Sequence, residues 1–224
     1  MTRISADFPP LLVFDLDGTL VDSVADLVSC ANRMLDRRKL PHIGINELRP
    51  MVGDGVGALV ERVLISRGAV PDSRAVSAFM ADYAVHAADE SRLFPGIAAA
   101  LDQARAEGWR LAVCTNKPVA AARLLLDALG IGPLFAAIGG GDSFSSRKPD
   151  PAHLLGTIAL ADGRRERSVM VGDHRNDITA ARGAGIPAIF AAWGYGGTEM
   201  HAGAAAVLTE PTDVPAAAAR LLAA

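Results

Sequence analysis

Asp15 and Asp17 are two carboxylates one residue apart, directly after the apolar run at residues 11–14. A short apolar run bounded by turn-forming residues predicts a buried strand, so both acids are expected at its carboxyl end, where open α/β sheets bind ligands. Neighbouring carboxylates repel each other unless they share a cation or a proton. A hard divalent cation would meet that need, and one carboxylate could attack as a nucleophile while the other moves protons. The alternative interpretation is an ordinary Asp-Gly turn at Asp17-Gly18.

Two further polar clusters follow predicted strands. Thr115 and Asn116 come after the apolar run at 111–114, where a hydroxyl, an amide and the N–H groups of a coming helix suit phosphate oxygens. A helix N-cap is the alternative role for Thr115. Lys148 lies in the proline-framed stretch 147–151, whose stiff backbone favours a fixed ammonium over a solvated surface lysine. Such an ammonium would neutralise a phosphate and a nucleophile together.

The fourth cluster follows the apolar run at 168–171 and contains Asp173, His174 and Asp177. We expect Asp173 to reach the metal shared by Asp15, while Asp177 holds that ligand or Lys148 in place. Asp177 alternatively complements the dipole of the helix that starts there. An isolated histidine among carboxylates is more often a neighbour than a ligand, so no role is assigned to His174.

Together these strand ends supply the parts for displacement at phosphorus. Metal and Lys148 would screen charge, Asp15 would attack in line, and Asp17 would protonate the leaving oxygen. Water would then hydrolyse the aspartyl-phosphate.

The elements that must position these groups follow from the hydrophobic spacing. Helical spacing predicts an all-helical stretch from about 22 to 90, after which strand-like and helix-like runs alternate as in a parallel α/β sheet. The last segment, 216–224, is predicted as a small-residue helix packed on the sheet. Strands are predicted at 11–14, 111–114, 136–138, 168–171, 188–191 and 206–208. Helices are predicted to begin near Ile97, Val119, Pro151, Asn176 and Thr212.

Composition narrows the class of protein. The chain has 224 residues, 50% of them hydrophobic and 21% charged, with a net charge of −3, which favours neither disorder nor a nucleic-acid-binding surface. The two cysteines, Cys30 and Cys114, are far apart and lack metal-ligand partners, which fits a reducing cytoplasm. We find neither a membrane span nor a signal-peptide pattern, so a cytoplasmic protein is expected.

At the polar clusters that follow the predicted strands, the sequence resembles the haloacid dehalogenase superfamily. The resemblance covers nearly the whole chain. The four motifs of that superfamily match residues 15–19, Thr115, Lys148 and 172–177. Within the superfamily, the phosphoglycolate phosphatase group is similar to this sequence at residues 15–23, 115–118, 148–151 and 175–178.

The resemblance implies a Rossmann-like core from residues 1–21 and 92–224, with a helical cap inserted at 22–91. It implies that Asp15 is the nucleophile and that Mg²⁺ is bound by Asp15, the carbonyl oxygen of Asp17 and Asp173. The residues implied to contact the substrate phosphate are Gly18, Thr115, Asn116 and Lys148. The superfamily's dehalogenases lack the second acid of the first motif, so Asp17 argues against them.

Two features bear on the substrate. His174 stands where the phosphatase group usually has a small hydroxyl residue, which leaves substrate identity open. The segment 51–57 resembles a glycine-containing cap turn whose N–H groups could meet a substrate carboxylate, with a simple helix-joining turn as the alternative. Asp54 would repel an anion there unless Arg49 or Arg62 compensated.

The leading hypothesis is a Mg²⁺-dependent phosphatase for a small phosphorylated metabolite, with 2-phosphoglycolate as the first candidate. The alternatives are a sugar-phosphate mutase, a phosphatase for a sugar phosphate, nucleotide or pyrophosphate, and a catalytically idle binding protein. We expect no nucleic-acid or membrane partner, and a monomer or small homo-oligomer.

Overall fold

The computed structural model describes residues 8–86 and 88–223. Residues 1–7 and 87, which the predictions assign to the core and the cap, and Ala224, assigned to the last helix, lie outside the described residues. In chain order the strands and helices are β1 (Leu11–Phe14), β2 (Val21–Asp22), α1 (Val24–Asp36), α2 (Ile45–Leu48), α3 (Val56–Ser66), α4 (Ser73–His86), β3 (Arg92–Leu93), α5 (Ile97–Ala106), β4 (Arg110–Cys114), α6 (Val119–Ala128), β5 (Ala137–Gly139), α7 (Pro151–Leu160), β6 (Ser168–Gly172), α8 (Arg175–Ala184), β7 (Ala188–Ala191), β8 (Ala206–Leu208) and α9 (Val214–Ala223).

A parallel sheet in the order β5-β4-β1-β6-β7-β8 forms the centre of the molecule. Leu11 of β1 pairs with Arg110 on one side and Ser168 on the other. After β1 the chain therefore builds one side of the sheet and then crosses back to build the other. The carboxyl end of β1 lies at this reversal of strand order, which is where ligands bind in such sheets.

The inner strands of the sheet are buried on both faces, which explains why they are nearly continuous apolar runs, whereas the edge strand β8 is only half-buried. Side chains of β1 alternate between two apolar layers: Leu12 and Phe14 pack with helices α5, α6 and α9, whereas Leu11 and Val13 pack with α7 and α8. This is the predicted Rossmann-like α/β architecture.

The helices between β2 and β3 have an apolar cluster of their own. It is formed mainly by α1, α3 and α4, and Ala121 of α6 joins it from the sheet side. β2 and β3 pair antiparallel, with Val21 opposite Leu93, so the chain enters and leaves the helical segment at neighbouring positions. Asp26 fixes the exit, because its carboxylate accepts hydrogen bonds from the N–H groups of Glu90 and Ser91 at 2.9 and 2.8 Å.

Most predicted boundaries hold to within one or two residues. Helix α8 begins at Arg175 rather than Asn176, and α9 begins at Val214, after a 3₁₀ turn at Pro211–Asp213, rather than at Thr212. The two-residue strands β2 and β3 carry no periodicity, and the hydrophobic pattern did not predict them. Among the described helices, none is both long and apolar enough to cross a membrane.

Candidate active site

Asp15 and Asp17 do lie at the carboxyl end of β1, but each has its own lysine rather than a shared cation. Oδ1 of Asp15 accepts a hydrogen bond from the N–H of Leu16 at 2.7 Å and lies 2.9 Å from Nζ of Lys148. Both carboxylate oxygens of Asp17 lie 2.9 Å from Nζ of Lys117. Ser23 also donates its hydroxyl to Asp17 at 2.5 Å. The two acids thus occupy different electrostatic surroundings.

Lys148 is buried and has three acceptors. Its ammonium donates to the carbonyl of Cys114 at 2.5 Å and to Asp177 at 2.6 Å, in addition to its contact with Asp15. The negative charges of Asp15 and Asp177 outweigh the desolvation of the ammonium and raise the pKa of Lys148. The lysine is therefore held as a fixed positive charge, as the proline-framed motif predicted.

His153 positions the backbone of Lys148, a role that the sequence did not reveal. Its Nδ1 accepts a hydrogen bond from the N–H of Lys148 at 3.1 Å, and its Nε2 lies 3.0 Å from the carbonyl of Gly140, to which it donates. The ring is fully buried, and desolvation together with the charge of Lys148 lowers the pKa of His153 to about 4. The loop is also fixed by Asp150, which caps α7 by accepting from the N–H of Ala152.

Asp15, Asp173 and Asp177 converge on one point. One carboxylate oxygen of each lies within 4.8 Å of the others, and all three residues are buried. Asp173 accepts from the hydroxyl of Thr19 at 2.7 Å but forms no ion pair with a described residue. Burial, reinforced by the charge of Asp15, raises the pKa of Asp173 to about 7. A cluster of buried carboxylates with this excess of negative charge fits a hard divalent cation.

Gly18 is required by close packing under Asp173. Its backbone φ of +86° is one that glycine adopts more readily than other residues. A Cβ at this position would lie 2.8 Å from the ring of Tyr195 and would also collide with Asp173. This requirement is independent of the phosphate contact predicted for Gly18.

Thr115 and Asn116 lie in the loop between β4 and α6. The hydroxyl of Thr115 accepts from the N–H of Lys117 at 3.2 Å, and the N-cap of α6 is Pro118, so Thr115 does not cap this helix. Asn116 donates its amide to the carbonyl of Gly53 and to that of Lys148, both at 2.9 Å. Its Oδ1 is buried and has no partner among the described residues.

His174 acts as the N-cap of α8. Its Nδ1 accepts from the N–H of Asn176 at 3.2 Å, while Asp177 accepts from the N–H of His174 at 3.0 Å, which completes a reciprocal capping box. Burial lowers the pKa of His174. The ring also packs on Gly53, where a Cβ would lie 2.8 Å from Cδ2 of the imidazole. Asp177 therefore serves both the helix start and Lys148.

Lys117 and Tyr195 are further site residues that the sequence did not assign. Nζ of Lys117 lies 4.4 Å from the centre of the Tyr83 ring, so this lysine connects Asp17 to the helical segment. The hydroxyl of Tyr195 accepts from the N–H groups of Ser23 and Val24 at 2.7 and 3.0 Å. The N–H of Tyr195 donates to Asp173 at 2.9 Å. Tyr195 thus joins the acidic cluster to the start of α1.

A cavity opens from the acids into the helical segment. The polar part of its wall comes from the sheet side and includes Asp15, Asp17, Thr115, Asn116 and Lys117. The opposite wall is mostly apolar and includes Leu27, Val56, Leu59, Phe79, Met80 and Tyr83. A ligand bound at the acids would therefore lie beneath α1, α3 and α4.

A parallel sheet with an acidic cluster and a buried lysine at its carboxyl edge defines a hydrolase of the haloacid dehalogenase type. Residues 12–191 match the model of the haloacid dehalogenase-like hydrolase family, and the chain belongs to that family.

Relatives and solved structures narrow the class further. The chain is 43% identical over 195 residues to the phosphoglycolate phosphatase of Agrobacterium fabrum, covering 85% of this chain and 84% of the relative. It is 39% identical over 216 residues to that of Caulobacter vibrioides, covering 94% and 91%. A structure described as a predicted phosphoglycolate phosphatase of Haemophilus somnus 129pt superimposes with a TM-score of 0.84 at 29% identity, over 94% of this chain and 98% of that one.

CbbY from Rhodobacter sphaeroides, solved in complex with phosphate, gives a TM-score of 0.79 at 26% identity, over 92% of this chain and 96% of that one. These comparisons confirm three predictions: the superfamily, the fold class and the enzyme class. The chain is a phosphoric monoester hydrolase of the phosphoglycolate phosphatase-like group.

Proposed function

We propose that this enzyme hydrolyses 2-phosphoglycolate with Mg²⁺ through a phosphoryl group carried on Asp15. The proposal rests on the different contacts of the two carboxylate oxygens of Asp15. Its Oδ1 is fixed by the N–H of Leu16 and by Lys148, while its Oδ2 accepts no hydrogen bond from the described residues. One oxygen is therefore anchored and the other is free to attack a ligand in the cavity that Asp15 lines.

The chemistry has two steps. An oxygen of Asp15 bonds to phosphorus, the bond from phosphorus to the ester oxygen breaks, and that oxygen takes a proton from the carboxyl of Asp17. Water then attacks phosphorus, gives a proton to Asp17, and the bond between phosphorus and Asp15 breaks. Lys148 holds Asp15 in place, and its positive charge screens the phosphoryl group.

Mg²⁺ would be held by Asp15 and Asp173 together with the carbonyl oxygen of Asp17, and when bound it would neutralise charge on the phosphoryl group. Asp177 supports this arrangement by holding Lys148 at 2.6 Å. Thr115 and Asn116 lie beside Asp15 along the cavity wall, and together with Gly18 and Lys148 they are the proposed phosphate contacts.

Substrate identity rests on the relatives and on the cavity. Relatives about 40% identical over most of their length are phosphoglycolate phosphatases. We also propose that residues 22–91 form a cap over a core made of 1–21 and 92–224, so that a small substrate is enclosed and bulk water excluded. The cytoplasmic location and the monomeric or small oligomeric state stay predictions.

Replacement of Asp15 tests the nucleophile. Asp15→Asn should abolish Mg²⁺-dependent phosphate release because an amide cannot attack phosphorus, while the circular dichroism spectrum stays that of the wild type. Release of phosphate by this variant at a rate near that of the wild type would refute the role of Asp15.

A substrate screen tests the identity of the substrate and the type of reaction. Phosphate release from 2-phosphoglycolate should exceed that from sugar phosphates, nucleoside monophosphates and pyrophosphate at equal concentration. Conversion of a hexose 1-phosphate to the 6-phosphate faster than phosphate release would instead identify a mutase. Removal of divalent cations with a chelator should abolish turnover, and added Mg²⁺ should restore it.

A further inference from the structure

Lys117 is a buried ammonium at the reaction site that the proposed hydrolysis does not use. The residue is 8% exposed, lines the cavity beneath α1, α3 and α4, and contacts both oxygens of Asp17. Its Nζ lies 4.4 Å from the centre of the Tyr83 ring. Burial of a lysine at this position costs free energy, so its charge requires an explanation beyond solubility.

Lys117 lies next to the place where the proposed reaction puts the leaving group. In the proposed reaction Asp17 protonates the leaving oxygen, so the leaving group lies against Asp17. A single methylene separates that oxygen from the carboxylate of 2-phosphoglycolate. The substrate carboxylate is therefore placed next to the groups that contact Asp17, and the described cation among them is Lys117.

The apolar side chains of the wall on this side of the cavity carry no charge that could stabilise an anion. Leu27, Leu59, Phe79 and Met80 are apolar. A carboxylate buried against them without a charged partner would pay its full desolvation penalty. An ammonium has three N–H donors, so Lys117 can keep one bond to Asp17 and give another to a substrate carboxylate.

Other cations near the site are engaged or lie elsewhere. Lys148 is fixed beside Asp15, where the proposed reaction places the phosphoryl group, and Arg62 pairs with Asp54 and donates to the carbonyl of Met51 at 2.8 Å. Arg49 lines a second cavity together with Asp17, Asp173 and His174, and its buried Nε has no partner among the described residues. Among the described side chains, Arg49 is therefore the charged rival to Lys117. The N–H groups of the turn at 53–55 are the uncharged rival, and the carboxylate preference would survive in both Lys117 variants if the turn bound the carboxylate.

We infer that Lys117 determines substrate specificity by binding the carboxylate of 2-phosphoglycolate, an inference that rests on the proposed function. Tyr83 holds the ammonium from the helical segment, and Asp17 holds it from the core. The same ammonium thus contacts the residue that protonates the leaving oxygen and the group that distinguishes this substrate from other small phosphate esters.

The test compares two substrates of nearly the same shape, of which one carries a carboxylate and the other a neutral amide. kcat/KM is measured for 2-phosphoglycolate and for phosphoglycolamide, in which a neutral amide replaces the carboxylate. The proteins are the wild type, Lys117→Met, Lys117→Gln, Arg49→Met and Lys39→Met, the last replacing an exposed lysine that does not line the cavity. Lys117→Gln retains a donor for Asp17 and serves if Lys117→Met fails to fold.

The wild type should prefer the carboxylate, and both Lys117 variants should lose that preference by about 10- to 100-fold, the usual worth of a hydrogen bond to a charged group. Lys39→Met should retain it. A Lys117 variant that loses activity on both substrates equally would show that the lysine only positions Asp17, and loss of the preference in Arg49→Met alone would assign the carboxylate to Arg49. Either result overturns the inference. A wild type without the preference would overturn the inference together with the proposed substrate.

Discussion

At the scale of single residues, separate lysines give the two acids of the first motif different surroundings. Asp15 shares Lys148 with Asp177, whereas Asp17 shares Lys117 with Tyr83. The sequence predicted the first lysine because prolines frame it in a recognisable motif. It could not assign the second, because Lys117 meets Asp17 across 100 positions of the chain and no local pattern records that contact.

Removal of Lys148 should destabilise the protein as well as inactivate it. In Lys148→Met the buried carboxylates of Asp15 and Asp177 lose their cation, so we expect the free energy of unfolding of the metal-free protein to fall by about 3–5 kcal/mol. Urea unfolding followed by circular dichroism measures it. Lys39→Met, at an exposed position, should change the value by less than about 0.5 kcal/mol. Equal stability of the two variants would contradict the ion-pair assignment.

At the scale of elements, the apolar runs predicted the strands well, because a strand buried on both faces is apolar throughout. Helix starts were less accurate where the cap was unusual. α8 begins one residue early because His174, which is not a common capping residue, accepts from the N–H of Asn176. His153 was missed since it follows Lys148 by five residues and contacts its backbone rather than its side chain.

The pH dependence of stability should report on the loop that His153 holds. Its pKa is lowered from 6.5 to about 4, so the unfolded chain binds more protons than the folded protein between these values. The contribution of His153 to the free energy of unfolding is therefore complete above pH 6.5. It is lost as the pH falls toward 4, by up to about 1.4 kcal/mol per pH unit.

In His153→Gln this component is absent, so the free energy of unfolding should fall less steeply between pH 6.5 and 4 than in the wild type. Urea unfolding at half-unit pH intervals measures both slopes. Parallel curves for the two proteins would show that His153 is not held neutral in the folded protein.

At the scale of the whole molecule, the helical segment contacts the sheet edge through the turn at Gly53 and Asp54. Asn116 and Asn176 both donate to the carbonyl of Gly53, at 2.9 and 3.3 Å, and Asn176 also donates to Asp54 at 2.7 Å. The glycine-containing turn was recognised in the sequence, but its partners were not. Those partners follow β4 and β6, so they are known only once the sheet order is known.

Loss of the Asn176 contact should loosen this closed arrangement. In Asn176→Ala we expect amide hydrogen exchange in α3 to accelerate by about tenfold or more, because hydrogen bonds that include one to a charged carboxylate are removed. Exchange in α5, within the sheet layers, should be unchanged. Mass spectrometry of deuterium uptake measures both. Asn46→Ala, at an exposed asparagine of α2, is the matched control, and equal uptake by the two variants would show that Asn176 does not hold the turn.

The pairing of β2 with β3 means that another segment can replace the helical segment at the same junction. Val21 lies opposite Leu93, so the two ends of the intervening chain are neighbours, and Asp26 fastens the returning strand through Glu90 and Ser91. A short turn joining these strands would close the chain without disturbing the sheet or the acids on its edge. Segments of other lengths and shapes can be grafted at the same junction, so the junction offers a route to new substrate ranges on unchanged phosphoryl-transfer chemistry.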